Sequence, residues 1–312
     1  MQQFDDMHAE STHDNAHWLA EIARLRRERQ AVILAHNYQP DEIQDVADFT
    51  GDSLELSRKA AACEAPVIVF CGVHFMAETA AILNPDKRVI LPAPDSGCPM
   101  ADMIDAPSLR ALRAKHPQAR VVCYVNSSAE VKAESDICCT SSNAERVVAS
   151  IPGEVIFVPD RYLGGWTAKR LDRELILWNG FCPTHARIQP AYIQQLRQAH
   201  PEARVFVHPE CREEVAALAD EVLSTGGMLR QARVSTAQAF IIATEVGILH
   251  RLRMENPGKQ FYSATPNALC PNMKKTTLEK VARSLETLGP RIEVPEPIRS
   301  RARQAIVRML EL

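Results

Sequence analysis

Three cysteines in this chain are each followed by proline: Cys98-Pro99, Cys182-Pro183 and Cys270-Pro271. The chain has nine cysteines, and the other six lack this signature. Positions 98 and 182 lie 84 residues apart and positions 182 and 270 lie 88 apart, close to a third of the 312-residue chain each time. A thiolate is a soft ligand for zinc or for iron–sulfur clusters. Three thiolates from three distant loops, with no Cys-x-x-Cys pair, look unlike a structural zinc site. They suit an iron–sulfur cluster. Such clusters usually have four cysteine ligands, so a cluster held by three keeps one iron open as a Lewis acid for a substrate oxygen. For a lone cysteine the plain reading is a small buried hydrophobe. That reading stands for Cys63, Cys71, Cys123 and Cys211, and the adjacent Cys138 and Cys139 read as strand residues that cannot easily chelate one ion.

Other polar residues keep register with the sulfurs. Each third of the chain has a short apolar run ending in a polar pair: His36/Tyr38, Tyr124/Asn126 and His208/Glu210. From the first member of each pair an aspartate follows 12 residues on (Asp48, Asp136, Asp220), then a serine at 17, 17 and 16 (Ser53, Ser141, Ser224) and the Cys-Pro at 62, 58 and 62. Four landmarks with so little drift define a threefold internal repeat. The polar pairs supply acid–base and hydrogen-bonding groups, although each also fits a satisfied polar residue at a strand end. Ser53, Ser141, Ser224 and Thr225 stand where helices begin, where free N–H groups and the helix dipole attract anions. Taken singly, each fits an ordinary N-cap; taken together, they suit a substrate with several carboxylates or a phosphate. His185, three residues after Cys182, is a further candidate.

The elements that must position these groups follow from hydrophobic periodicity. Short apolar runs such as 31–35, 67–71, 121–125, 155–158, 205–207 and 240–243 predict buried strands. Between most of them lie stretches with helical spacing, so each repeat predicts a parallel-sheet α/β unit. A period of about 86 residues is too long for a solenoid and right for a small domain. The expected fold is α/β: three similar α/β/α domains with small parallel sheets around a pseudo-threefold axis. The expected boundaries are a disordered leader at 1–16, domain 1 at 17–107, domain 2 at 108–188 and domain 3 at 189–283, with helices in 284–312 packing back on domain 1. Ligands of open α/β sheets sit outside the carboxyl ends of the strands, so the axis should gather the polar pairs and the sulfurs in one cavity.

Composition excludes other classes. A net charge of −3 gives no electrostatic case for nucleic acid or an anionic membrane. No apolar run approaches the roughly 20 residues of a spanning helix, and the acidic N-terminus has no signal-peptide pattern. The expectation is a cytoplasmic protein with reduced cysteines.

The motifs Ala35-His36-Asn37-Tyr38, Gly51-Asp52-Ser53, Phe75-Met76-Ala77-Glu78-Thr79, Tyr124-Val125-Asn126, Cys139-Thr140-Ser141-Ser142-Asn143-Ala144, His208-Pro209-Glu210-Cys211 and Cys270-Pro271-Asn272-Met273-Lys274 occur in this order. In them the chain resembles the quinolinate synthase family from about residue 30 to 283. The resemblance implies one [4Fe–4S] cluster per chain on Cys98, Cys182 and Cys270. It implies condensation of iminoaspartate with dihydroxyacetone phosphate to quinolinate, phosphate and water for NAD biosynthesis, a transferase-class reaction. Tyr38 and Glu210, with His36 and His208, would be catalytic. His36, Ser53, Tyr124, Asn126, Ser141, His208, Glu210, Ser224 and Thr225 would hold substrate. L-aspartate oxidase or aspartate dehydrogenase would supply iminoaspartate. Unlike some members of the family, this chain has no cysteine after Cys270. Two alternatives share the three-cysteine logic: the reductase acting on hydroxymethylbutenyl diphosphate, which needs an external reductant, and a redox sensor, which needs no acid–base residues.

Overall fold

The computed structural model describes the backbone of residues 2–312 and the side chains from residue 15 onward. Twelve strands form three separate four-stranded sheets, each entirely parallel. The first holds β1 (Ala31–His36), β2 (Phe49–Gly51), β3 (Val67–Cys71) and β4 (Arg88–Ile90). The second holds β5 (Arg120–Tyr124), β6 (Ile137–Cys139), β7 (Val155–Val158) and β8 (Ile176–Leu177). The third holds β9 (Arg204–Val207), β10 (Glu221–Val222), β11 (Ala239–Ala243) and β12 (Gln260–Ser263). Each unit runs second strand, first, third, fourth across its sheet, and helices flank all three sheets. The three similar α/β domains expected from the repeat are therefore present.

The central strands are continuous apolar runs because both faces are covered; every residue of β3, β7 and β11 is buried. The repeated aspartates have a structural role. Asp48, Asp136 and Asp220 each accept the backbone N–H of a residue 15 positions earlier in the first strand: Ile33 at 2.8 Å, Val121 at 2.8 Å and Val205 at 2.6 Å. In the same three residues the backbone N–H returns to that strand's carbonyl. An arginine flanks each carboxylate: Arg26, Arg120 and Arg197. The landmark thus ties the edge strand to the first strand in each copy.

Several elements differ from expectation. The helix that starts at Asp41 stops at Val46, and the chain extends into edge strand β2, which periodicity did not show. β10 is a second short edge strand that periodicity missed, because two or three residues carry no period. Arg161–Arg170 is helical despite its Gly164-Gly165 pair. A Cβ on Gly164 would meet Leu177 at 2.6 Å and Phe157 at 2.8 Å, so the glycine lets this helix lie close on β7 and β8. The first helix spans Gln2–Glu28. The leader expected over 1–16 falls mostly on residues whose side chains, like all of Met1, lie outside the described residues.

The closing helices divide between two units. Leu278–Thr287 buries Leu278, Val281 and Leu285 with Ile22 and Leu25 of the first helix, on domain 1. Glu296–Glu311 instead packs chiefly on the helix Ala129–Ala133 and on β6 of the second unit, and secondarily on His74–Leu83 of the first. This corrects the expectation that both helices rest on the first unit. Its small buried residues Ala302 and Ala305 allow the close approach, and Arg301 bonds Glu134 at 3.2 Å.

Candidate active site

In each sheet the chain leaves the first strand to one side and later returns on its other side, so the topological switch point lies at the first strand's carboxyl end. Ligands of open α/β sheets bind there. The polar pairs stand at these points, and the Cys-Pro loops follow the fourth strands. Loops from all three units line one cavity of about 170 Å³. For scale, an apolar void of about 150 Å³ holds a benzene ring. Its wall includes His36, Tyr38, Ser53, Cys98, Tyr124, Asn126, Ser141, Cys182, His208, Glu210, Thr225 and Cys270. Ser224 is the one predicted site residue that does not line it. That hydroxyl accepts the N–H of Gly227 at 3.1 Å and bonds Asp52 at 3.1 Å and Ser142 at 2.8 Å, facing a neighbouring cavity. The serine landmark also shifts between copies. Asp52, not Ser53, caps the helix Ser53–Ala62, and Asn143 precedes the helix that follows Ser141.

Each sulfur sits in the opening turn of its Cys-Pro loop. Proline contributes no N–H and pre-sets the turn. The N–H groups two and three residues on then face the sulfur: Met100 and Ala101 at Cys98, Asn272 and Met273 at Cys270. At Cys182 the N–H of His185 does so. Donors aimed at sulfur favour thiolate. Burial does the opposite and pushes Cys98 up to about 12 and raises Cys182 and Cys270, so a bound cation is needed to hold three thiolates here. Among the described residues, the one set of three donor atoms all within 4.8 Å of one another is Cys182, His185 and Glu210. A hydrogen-bonded chain accounts for that set, because His185 Nδ1 donates to Glu210 Oε2 at 2.8 Å and so offers no lone pair to a metal. The three Cys-Pro sulfurs share the cavity without closing to such a set. Three N–H-solvated sulfurs around a common space, from three loops with no Cys-x-x-Cys pair, fit a cluster.

The acid–base groups form one connected network. Glu210 accepts from the Tyr124 hydroxyl at 2.5 Å and from Asn126 Nδ2 at 3.5 Å, besides His185. Burial alone would raise Glu210. The charge and hydrogen bond of His185, with smaller effects of His208 and Tyr124, outweigh burial and hold it below the usual carboxylate range. His185 Nε2 reaches Thr244 Oγ1 at 2.8 Å, and Thr244 Oγ1 meets the Tyr38 hydroxyl at 2.5 Å. Burial and the Glu210 charge keep Tyr38 and Tyr124 protonated, well above the ordinary phenol range. Burial lowers His36 to about 4 and His208 to about 3, so both imidazoles are neutral at pH 7. Their tautomers follow from a contact repeated in two units. The Tyr38 N–H donates to His36 Nδ1 at 3.2 Å and the Glu210 N–H donates to His208 Nδ1 at 3.3 Å. With Nδ1 accepting, the proton sits on Nε2. His208 Nε2 reaches Ser141 Oγ at 3.2 Å.

Sequence reasoning missed part of this wall. Strand pairing makes Val73, Asp160 and Glu245 equivalent, each two residues past the end of a third strand. Asp160 and Glu245 are fully buried. Glu245 lines the cavity, and Asp160 caps the helix Arg161–Arg170. Residue type differs across the three copies, so counting landmarks could not find them; aligning the third strands could have.

The fold and this wall define a three-domain α/β protein with three thiols and an acid–base network on one interdomain cavity. The family model described as Quinolinate synthetase A protein matches residues 20–311. Proteins named quinolinate synthase are similar along nearly their whole length. That of Dehalococcoides mccartyi is 58% identical over 292 residues, covering 93% of this chain and 97% of the relative. That of Methanoregula boonei is 56% identical over 300 residues, 96% and 99%. That of Geotalea uraniireducens is 56% identical over 293 residues, 94% and 96%. The chain belongs to the quinolinate synthetase A family.

Proposed function

We propose that this chain is a quinolinate synthase that condenses iminoaspartate with dihydroxyacetone phosphate to give quinolinate, phosphate and water in NAD biosynthesis. The observation that carries the proposal is the meeting of three N–H-solvated Cys-Pro sulfurs and the Glu210–His185–Thr244–Tyr38 chain on one cavity. Cys98, Cys182 and Cys270 would hold a [4Fe–4S] cluster, one per chain. The cluster would supply a Lewis-acidic iron open to substrate oxygens.

The protein residues divide the remaining work. Glu210, held ionised beside His185, is the base that takes protons from substrate carbon and nitrogen. Tyr38 keeps its proton and is the acid, with Thr244 and His185 as the path that reloads it. Neutral His36 and His208 present Nε2–H donors to carboxylate oxygens. Ser53, Ser141, Tyr124, Asn126 and Thr225 add hydroxyl and amide contacts for carboxylate and phosphate. Asn126 Oδ1 is buried with no protein donor, which suits the N–H of a nitrogen-bearing substrate. Ser224 acts through Asp52 and the start of its own helix.

The reading takes residues 17–107, 108–188 and 189–283 as the three units. It puts the enzyme in the cytoplasm, with L-aspartate oxidase or aspartate dehydrogenase supplying iminoaspartate. Among the described residues no helix is long and apolar enough to cross a membrane. The test is an anaerobic assay with both substrates and no external reductant. Quinolinate formation supports the proposal. No product from iron-replete protein, or product only with a reductant, refutes it.

A further inference from the structure

The loop that carries the third sulfur is stitched to the loop that carries Tyr38, across a domain boundary. Glu245, fully buried at the end of β11, uses both oxygens: Oε1 accepts the backbone N–H of Cys270 at 3.0 Å and Oε2 accepts that of Gly247 at 2.7 Å. Lys274, four residues after Cys270, sits against the same carboxylate at 3.1 Å and 3.2 Å. The ammonium also donates to the Tyr38 carbonyl at 2.5 Å. The contact is close enough that a Cβ on Gly247 would meet Lys274 Nζ at 2.6 Å and the Tyr38 carbonyl at 2.8 Å. A second strap runs beside it: Gln39 donates to the Met273 carbonyl at 2.8 Å. The other two loops are held by different partners: Asp95, three residues before Cys98, pairs with Lys275 at 3.1 Å, and His185, three residues after Cys182, bonds Glu210 at 2.8 Å. A charge-assisted pair taken out of water holds geometry well, and removing one partner leaves the other charge buried and loosens what both held.

We propose that Glu245 and Lys274 are positioning residues. Their ion pair sets the Cys270 loop and the Tyr38 loop as one body, so that the third sulfur and the proton-donating phenol keep a fixed relation. Neither residue is a catalytic residue in this assignment. It rests on the reading of Cys270 as a cluster ligand, but its geometry is testable without the cluster.

The test uses full-length protein with Lys274→Met, Lys274→Arg and Glu245→Gln. The buried Glu245 change can compromise folding; Lys274, partly exposed, is the variant that decides. Iodoacetamide labelling of the metal-free chain, read by peptide mass spectrometry, gives a rate for each of Cys98, Cys182 and Cys270. The expected result for Lys274→Met is a rise of about tenfold at Cys270, with Cys98 and Cys182 changing less than twofold. Lys274→Arg should return most of the way to wild type. In loaded protein the same variant should release iron to a chelator several times faster and lower kcat with little change in KM. Equal acceleration at all three cysteines, or no change at Cys270, would overturn the proposal. Wild-type protein that binds no cluster would refute the functional reading while leaving the labelling result to judge the positioning pair.

Discussion

Glu210→Gln removes the charge at the centre of the network while keeping its shape. In the wild type the carboxylate takes the Tyr124 hydroxyl at 2.5 Å and His185 Nδ1 at 2.8 Å, and the side chain is almost wholly buried. Two consequences have calculable size. General-base catalysis by a positioned carboxylate contributes about 10²–10⁴ in rate, or about 3–5 kcal/mol of barrier. Glutamine keeps one acceptor oxygen for two buried donors, the Tyr124 hydroxyl and His185 Nδ1, and leaving one of them unpaired costs about 1–3 kcal/mol of stability. The variant should therefore lose quinolinate formation by at least about a hundredfold in kcat, and its thermal midpoint should fall. Its iron and sulfide content should match wild type, since Glu210 is not a ligand in this account. The assay is anaerobic product formation by reconstituted protein, alongside iron analysis and a melting curve. A variant with full cluster and kcat within about fivefold of wild type would refute the base assignment.

Other substitutions separate ligands from bystanders. Cys98→Ala, Cys182→Ala and Cys270→Ala should each remove the iron chromophore and activity, whereas Cys63→Ala should keep both at a packing cost of about 1 kcal/mol; iron analysis and visible absorption decide. Asp220→Ala strips the acceptor from the Val205 N–H and should cost about 1–3 kcal/mol by denaturant melts, with iron content unchanged. The buried histidines predict a pH dependence. His36 and His208 titrate near 4 and 3 when folded, against about 6.5 unfolded. The unfolded chain therefore binds more protons below pH 6.5. Their contribution is intact above that value and is lost as pH falls, by about 2 kcal/mol per histidine at pH 5. His36→Gln should flatten the slope of stability between pH 6.5 and 4.5 measured by urea melts.

The fold was legible because each unit repeats a register. First strands, polar pairs, aspartates and Cys-Pro loops recur at nearly constant spacing, and the structure gives three sheets of one strand order. Short edge strands such as β2 and β10 carried no readable period, and the helix at Arg161–Arg170 was hidden by Gly164, whose absent side chain serves packing against Phe157. Much of the candidate site was legible for the same reason: thirteen of the fourteen candidate side chains, His185 among them, line one cavity. The exception, Ser224, shows the limit of counting. Spacing locates a serine near a helix start, but whether its hydroxyl caps the helix or faces a ligand depends on neighbours from other units, here Asp52 and Ser142. Glu245, Asp160 and Thr244 were invisible because their roles come from tertiary pairing, and the first copy has Val73 where the others have acids.

The most direct test is the iron and acid-labile sulfide content of protein purified without oxygen. The account predicts about four of each per chain, falling to near zero when any one of Cys98, Cys182 or Cys270 is replaced. A colourless protein carrying zinc under the same conditions would contradict it.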